Sequence, residues 1–283
     1  MKVILVCVGN FQPYVVDCIA QLKLWGNDDI DVITNAHFFE HFSGVNLVNC
    51  DELNDYRYTQ LSAIDRHFRD GFWFYASQRL FYLYSHIKQN NIKRSVHIEN
   101  DVMVYENLDK LTFEKKLYAV YDSPTRVIPS FIYIPSHKYF RTVIEKYNPQ
   151  LNDMVNMGRY DFMEPLPIIH STGAAGEEIT RYNKNFAQFG AIFDGAAIGQ
   201  YLAGVDPRNQ PGDTRGFVNE TCVVKYDQYR FCWLLAENGL CRPYLMSGDD
   251  IIPIVNLHIH SKKLNLMRSD SYKGDTYITT KII

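Results

Sequence analysis

No two of the six cysteines form a C-x-x-C pair: Cys7, Cys18, Cys50, Cys222, Cys232 and Cys241 lie scattered over 283 residues. That spacing argues against a zinc cluster or a disulfide framework and fits buried or free thiols in a reducing compartment. Long apolar runs are missing as well. None approaches the roughly 20 residues that span a bilayer. The opening Met1 to Gly9 is too short for a signal-peptide core, and no small-residue cleavage site follows. The expectation is a protein without a transmembrane segment, cytoplasmic in its producing or host cell. Nor is there a charge excess: 29 Lys and Arg against 32 Asp and Glu leave −3, without the basic surplus of a nucleic-acid binder. No G-x-G-x-x-G follows the first apolar run, and neither G-x-x-x-x-G-K-[ST] nor H-E-x-x-H occurs. These gaps count against a dinucleotide dehydrogenase, a P-loop kinase and a helix-borne zinc hydrolase. Repeats and low-complexity tracts are absent too.

What remains is an ordinary globular mixture, 46 % hydrophobic and 22 % charged, with 20 Tyr and 17 Phe. Most of these rings belong in a core. A tyrosine surplus also suits a sugar cleft, where ring faces pack on C–H groups and hydroxyls bond to hydroxyls. Lys2 to Val8 predicts a buried strand ending in Gly9-Asn10. A helix opens at Pro13 and runs to about Leu24, followed by short strands at Asp31 to Thr34 and Val45 to Val48. In Trp73 to Asn90 the residues Ala76, Leu80, Leu83, Tyr84 and Ile87 recur at helical spacing. Arg94 to Ile98 then reads as a strand, with Val102 to Tyr105 as its continuation. Further strands are expected at Lys116 to Tyr121, Phe131 to Ile134, Thr221 to Tyr226 and Ile251 to Lys263, and helices at His137 to Tyr147 and Asp194 to Leu202. Strand, helix, strand is the start of a parallel, doubly wound α/β sheet. Residues from about Met267 on read as a polar tail.

Glu99-Asn100-Asp101 sits directly after a strand and is flanked by Val96, Ile98, Val102 and Val104. Carboxyl ends of strands in such sheets are where ligands bind. Two carboxylates one residue apart there can reach one divalent ion. Burying both without a cation is costly. The second element is Leu257-His258-Ile259-His260-Ser261-Lys262-Lys263, whose two histidines share one side of a strand. An imidazole, His258 or His260, can complete the coordination of a borderline metal, and Lys262 and Lys263 can meet phosphate oxygens. His97, in mid-strand, reads as a core imidazole.

The run Gln78 to Tyr84, then Val96 to Tyr105, then Asn107-Leu108 resembles the core of GT-A type glycosyltransferases. In that family an Arg-bearing helix leads into a strand of the form L-Y-L-D-x-D-V-L-V. Here Glu99 stands in place of the first Asp. The late His-Ser-Lys-Lys resembles the metal-binding His and following Lys of glycogenin-like and lipopolysaccharide galactosyltransferase-like members. The resemblance runs over about residues 1–265. It implies an α/β fold: a single GT-A (Rossmann-like) domain over 1–283 with a mixed, mostly parallel central sheet flanked by helices, a nucleotide-donor half at about 1–125, an acceptor half at about 126–265 and a tail over 266–283. It also implies a nucleoside diphosphate sugar donor, a glycan or other hydroxyl acceptor, and Mn²⁺ (or Mg²⁺) held by Glu99, Asp101 and a late His. Arg79 and Asn100 would contact the donor, and Val8, Gly9 and Asn10 would face its nucleoside.

An inverting transfer needs a base for the acceptor hydroxyl. Asp194, Glu177 and Glu178 are the candidates, with Asp122 beside them. Asp194 also reads as a helix cap. Trp233 and Tyr244 are core residues or sugar platforms. The alternative is a carbohydrate-binding protein without catalysis on a degenerate GT-A fold, which the Glu-for-Asp change would permit.

Overall fold

The computed structural model describes residues 1–53, 61, 64, 66–170, 180–206, 208 and 222–270. A seven-stranded sheet combines β1 (Lys2–Cys7), β2 (Ile30–Thr34), β3 (Asn46–Asn49), β4 (Ser95–Ile98), β6 (Tyr118–Ser123), β7 (Arg126–Ile134) and β8 (Glu164–Leu166) in the order β3-β2-β1-β4-β7-β6-β8. The first four are parallel, β7 runs against both its neighbours, and β6 and β8 are parallel. The expected mixed, mostly parallel sheet flanked by helices is therefore present.

Period-two alternation builds the layers. Val3, Leu5 and Cys7 face the core that contains α1 (Val15–Leu24); Ile4, Val6 and Val8 face the core of α2 (Phe72–Gln89), α3 (His137–Glu145) and α4 (Asp153–Gly158). With both faces covered, central strands read as near-continuous apolar runs. Leu80, Leu83, Tyr84 and Ile87 form the buried stripe of α2. That helix stops where Asn90 Nδ2 donates to the His86 carbonyl at 3.1 Å and Asn91 turns left-handed at φ +48°. Emptying this stripe at Leu83 by an Ala would cost about 2–5 kcal/mol.

Four expectations change. Val102 to Tyr105 does not continue β4. The chain turns at Glu99, with Val102 N–H donating to its carbonyl at 3.1 Å, and β5 (Val102–Val104) leaves the sheet. Ile251 to Lys263 is two strands in different sheets. The antiparallel unit β9 (Arg230–Leu235), β10 (Cys241–Ser247) and β11 (Asp250–Pro253) takes the first part, and β12 (Asn256–His258) pairs with β5. Of the strand expected over Thr221 to Tyr226, Thr221 lies outside the described residues. Residues 222–225 are irregular, with Val223 N–H bonded to the Asp122 carbonyl at 3.0 Å, and Tyr226 starts a 3-10 turn. Finally, 266–270 is not a loose tail. Met267 and Ser269 are buried, and Ser269 Oγ accepts from Gln21 Nε2 and Trp25 Nε1. The rest of the expected tail, 271–283, lies outside the described residues. Two short helices, α5 (Phe186–Phe189) and α6 (Ala197–Ala203), complete the chain.

Candidate metal centre

Strand order places the site. Connections run from β1 outward to β2 and β3, then return to β4 on the other flank of β1. The crevice between the carboxyl ends of β1 and β4 is thus a topological switch point. Gly9-Asn10 closes one side and Glu99-Asn100-Asp101 the other. Asn100 joins them: its Nδ2 donates to the Val6 carbonyl at 2.8 Å and to Gln12 Oε1 at 2.6 Å. Gly9 stands at φ +79°, and a Cβ there would lie 2.2 Å from the Tyr75 ring. The space its missing side chain leaves is filled by that ring, while its N–H donates to Asn35 Oδ1 at 2.8 Å. Asn10 is exposed.

The departure of β5 from the sheet creates the centre. Its antiparallel pairing with β12 puts His258 opposite Val102, one residue from Asp101. Glu99, Asp101 and His258 each offer a ligand atom within 4.8 Å of the others. His258 Nε2 is 3.2 Å from Glu99 Oε2 and 3.2 Å from Asp101 Oδ1. Its Nδ1 lies 2.6 Å from the Gly195 carbonyl, which can only accept. That bond fixes Nδ1 as the donor and turns Nε2 toward the carboxylates, the orientation a metal ligand requires.

Charge is balanced by further residues. Arg79, buried on α2, bonds Glu99 through one guanidinium nitrogen and Asp153 Oδ2 at 2.6 Å through the other. Lys262 bonds Asp101 Oδ2. Burial by itself would raise both carboxyls. Arg79 and His258 outweigh it at Glu99, and His258 and Lys262 at Asp101, so both lie below the usual carboxylate value, Asp101 well below. Burial also works against charge on His258, but Asp101 and Glu99 push its pKa up to about 9.

His260 is not in this group. Its ring meets that of His258 edge to face, centroids 4.3 Å apart, and its Nδ1 is 2.9 Å from Gln200 Nε2. Burial, then the charge of His258, holds its pKa well below the ordinary value. An amide NH₂ can only donate, so the neutral ring accepts at Nδ1 and carries its hydrogen on Nε2. That atom is buried without a partner among the described residues. His97 is a core imidazole: Nδ1 is 2.9 Å from the Ile4 carbonyl, and burial, then Arg79, push its pKa down to about 3.

Asp194 takes a different place from the one a base needs. Its Oδ1 accepts from Ile198 N–H at 2.9 Å, and its Oδ2 from Gly199 N–H at 2.8 Å and His258 N–H at 3.0 Å. Both oxygens are committed to holding the start of α6 against β12. It is a positioning residue for His258, as is Gly199, where a Cβ would lie 2.0 Å from the His258 carbonyl oxygen. Glu177 and Glu178 lie outside the described residues. Lys263 is exposed beyond the turn. Trp233 is buried edge-on to Tyr105 at 5.4 Å and belongs to the core.

Sequence reasoning passed over Asp153, Gln12 and Arg208. The Asn152-Asp153 pair carried a helix-start signal: Asn152 Oδ1 accepts from Val155 N–H at 2.9 Å. Gln12 and Arg208 had no signal, because their roles depend on contacts across the crevice. Arg208, held by Asp206 at 2.8 Å, is close enough to Asp101 to feel its charge.

No family model and no curated protein matches the chain. Among solved structures it is similar to the galactosyltransferase LgtC in complex with donor and acceptor sugar analogs, at 12% identity over 56% of this chain and 69% of that one, TM-score 0.36. An active-site mutant of LgtC also shows 12% identity, covering 59% and 73%, TM-score 0.39. The apo form of mouse xyloside xylosyltransferase 1 shows 8% identity, covering 59% and 84%, TM-score 0.36.

Proposed function

We propose that this chain is a divalent-cation-dependent glycosyltransferase that moves a sugar from a nucleoside diphosphate sugar to the hydroxyl of a glycan or similar acceptor. The observation that carries the proposal is the convergence of Glu99, Asp101 and His258 within 4.8 Å, at the carboxyl edge of the sheet. The donor set fits Mn²⁺ best and Mg²⁺ next: two hard carboxylates with one imidazole whose second nitrogen is already tied down. Bound there, the cation would act as a Lewis acid on the diphosphate leaving group. The chain's own residues do the rest. Arg79 keeps Glu99 ionised and oriented. Asn100 fixes the acidic loop to the end of β1. Lys262, and Lys263 beyond it, supply positive charge for phosphate oxygens. The backbone of Val8 and Gly9 and the exposed Asn10 form the edge that would face the nucleoside. Glu177, Glu178 and Asp122, the last paired with Arg126, are the carboxylates left as candidates for the acceptor-side base.

The test is Asp101→Asn. It should abolish Mn²⁺-dependent release of nucleoside diphosphate across a panel of nucleotide sugars. Unchanged turnover would defeat the assignment. Calorimetry separates the other class: a glycan-binding protein without catalysis would bind glycans without Mn²⁺ and ignore nucleoside diphosphates.

A further inference from the structure

Besides His258, two cationic side chains sit on the acidic pair, and they are held differently. Arg79 is buried and shared between Glu99 and Asp153, so giving up its bonds would leave the buried Asp153 without its cation and Glu99 with His258 alone. Among the described residues Lys262 forms an ion pair with one carboxylate, Asp101, and its side chain is 26% exposed. It stands on a left-handed turn at φ +62° just past β12, with its ammonium 5.4 Å from the Tyr14 ring centre. Four flexible methylenes let that head move.

Both oxygens of Asp101 are occupied as the site stands: Oδ1 faces His258 and Oδ2 holds Lys262. A divalent ion on Asp101 would be set beside this ammonium, and the two like charges repel. The ammonium must then find another anion on the open side of the crevice. Arg208 is on that side too, exposed and already held by Asp206.

We propose that Lys262 is an internal stand-in for the cation. It occupies Asp101 while the site is metal-free and transfers to the diphosphate when the cation enters. Cation and diphosphate therefore bind with positive coupling that runs through this side chain. The inference rests on the cation-dependent reading above and adds to it a competitor built into the fold.

The experiment measures Mn²⁺ binding to the full chain by the electron paramagnetic resonance signal of free Mn²⁺, then binding of inorganic pyrophosphate by calorimetry with and without Mn²⁺. Lys262→Met keeps the stem and removes the charge. It should bind Mn²⁺ alone about tenfold tighter, and bind pyrophosphate about tenfold more weakly once Mn²⁺ is present. Lys262→Arg, with a fork that grips a carboxylate at two points, should bind Mn²⁺ alone more weakly than the parent chain. A merely structural lysine would make both variants bind Mn²⁺ worse. Mn²⁺ affinity in Lys262→Met that is equal to or below that of the parent chain overturns the proposal and leaves the cation site standing. A parent chain that takes up no Mn²⁺ overturns the reading beneath it as well.

Discussion

Replacing Gly199 with Ala tests whether the packing of α6 on β12 builds the site. The added Cβ would lie 2.0 Å from the His258 carbonyl oxygen, 2.7 Å from its carbonyl carbon and 3.0 Å from Asp194 Oδ2. The first two are backbone atoms and cannot swing aside. Restoring an ordinary contact requires α6 and β12 to separate by about 1.4 Å. Overpacking of this kind costs about 1–3 kcal/mol, and each kcal/mol lowers Tm by about 2–4 °C in a chain of this size class. The shift carries His258 with it, out of its 3.2 Å approach to Glu99 and Asp101. Disturbing the contacts that orient a metal ligand costs about 10–100-fold in affinity, so Mn²⁺ affinity should fall by about that factor. Differential scanning calorimetry and Mn²⁺ titration read the two effects. Gly190→Ala is the control: nothing lies within 4 Å of its Cβ, and its φ of +59° costs stability alone. A Gly199→Ala protein that melts and binds Mn²⁺ like the parent chain would refute the reasoning.

Three further outcomes follow from the same contacts. Asp194→Asn turns one of two accepting oxygens into a donor facing N–H groups. It should lower stability by about 1–3 kcal/mol and Mn²⁺ affinity by about 10–100-fold, whereas a catalytic base would lose kcat with Mn²⁺ affinity intact. Arg79→Met strands the buried Asp153, leaves Glu99 with His258 alone, and should cost about 3–5 kcal/mol in denaturant unfolding. In metal-free protein, the raised pKa of His258 contributes stability that is fully present below about 6.5 and lost as pH rises through about 9. The lowered carboxyls of Glu99 and Asp101 contribute stability that is lost as pH falls below the ordinary carboxylate range. Melting curves should therefore peak in mildly acidic buffer, and Mn²⁺ should remove the alkaline decline.

Much of this architecture can be read from residue order because the signals are local. Apolar alternation in Lys2 to Val8 and the helical stripe of Trp73 to Asn90 mark a β1 and an α2 that burial then stabilises. Glu99 and Asp101 were visible as acids interrupting an apolar run. The departure of β5 was not, since Val102-Met103-Val104 is the same apolar triplet whether it continues β4 or pairs elsewhere. Its partner β12 lies far along the chain, so His258, rather than His260, reaches the acids through a register that no local pattern encodes. Asp194 shows the other limit. A carboxylate before a helix reads equally as a cap or a base, and only the three N–H groups on its oxygens decide it. The partnership of Arg79 with Asp153 is likewise a contact between elements, invisible until α2 and α4 pack together.

The most direct test of the central claim is a manganese-edge anomalous difference map from crystals soaked in Mn²⁺. The account predicts one strong peak bonded to Glu99, Asp101 and His258, with the Lys262 side chain displaced from Asp101. A map with no peak at those three residues would contradict it.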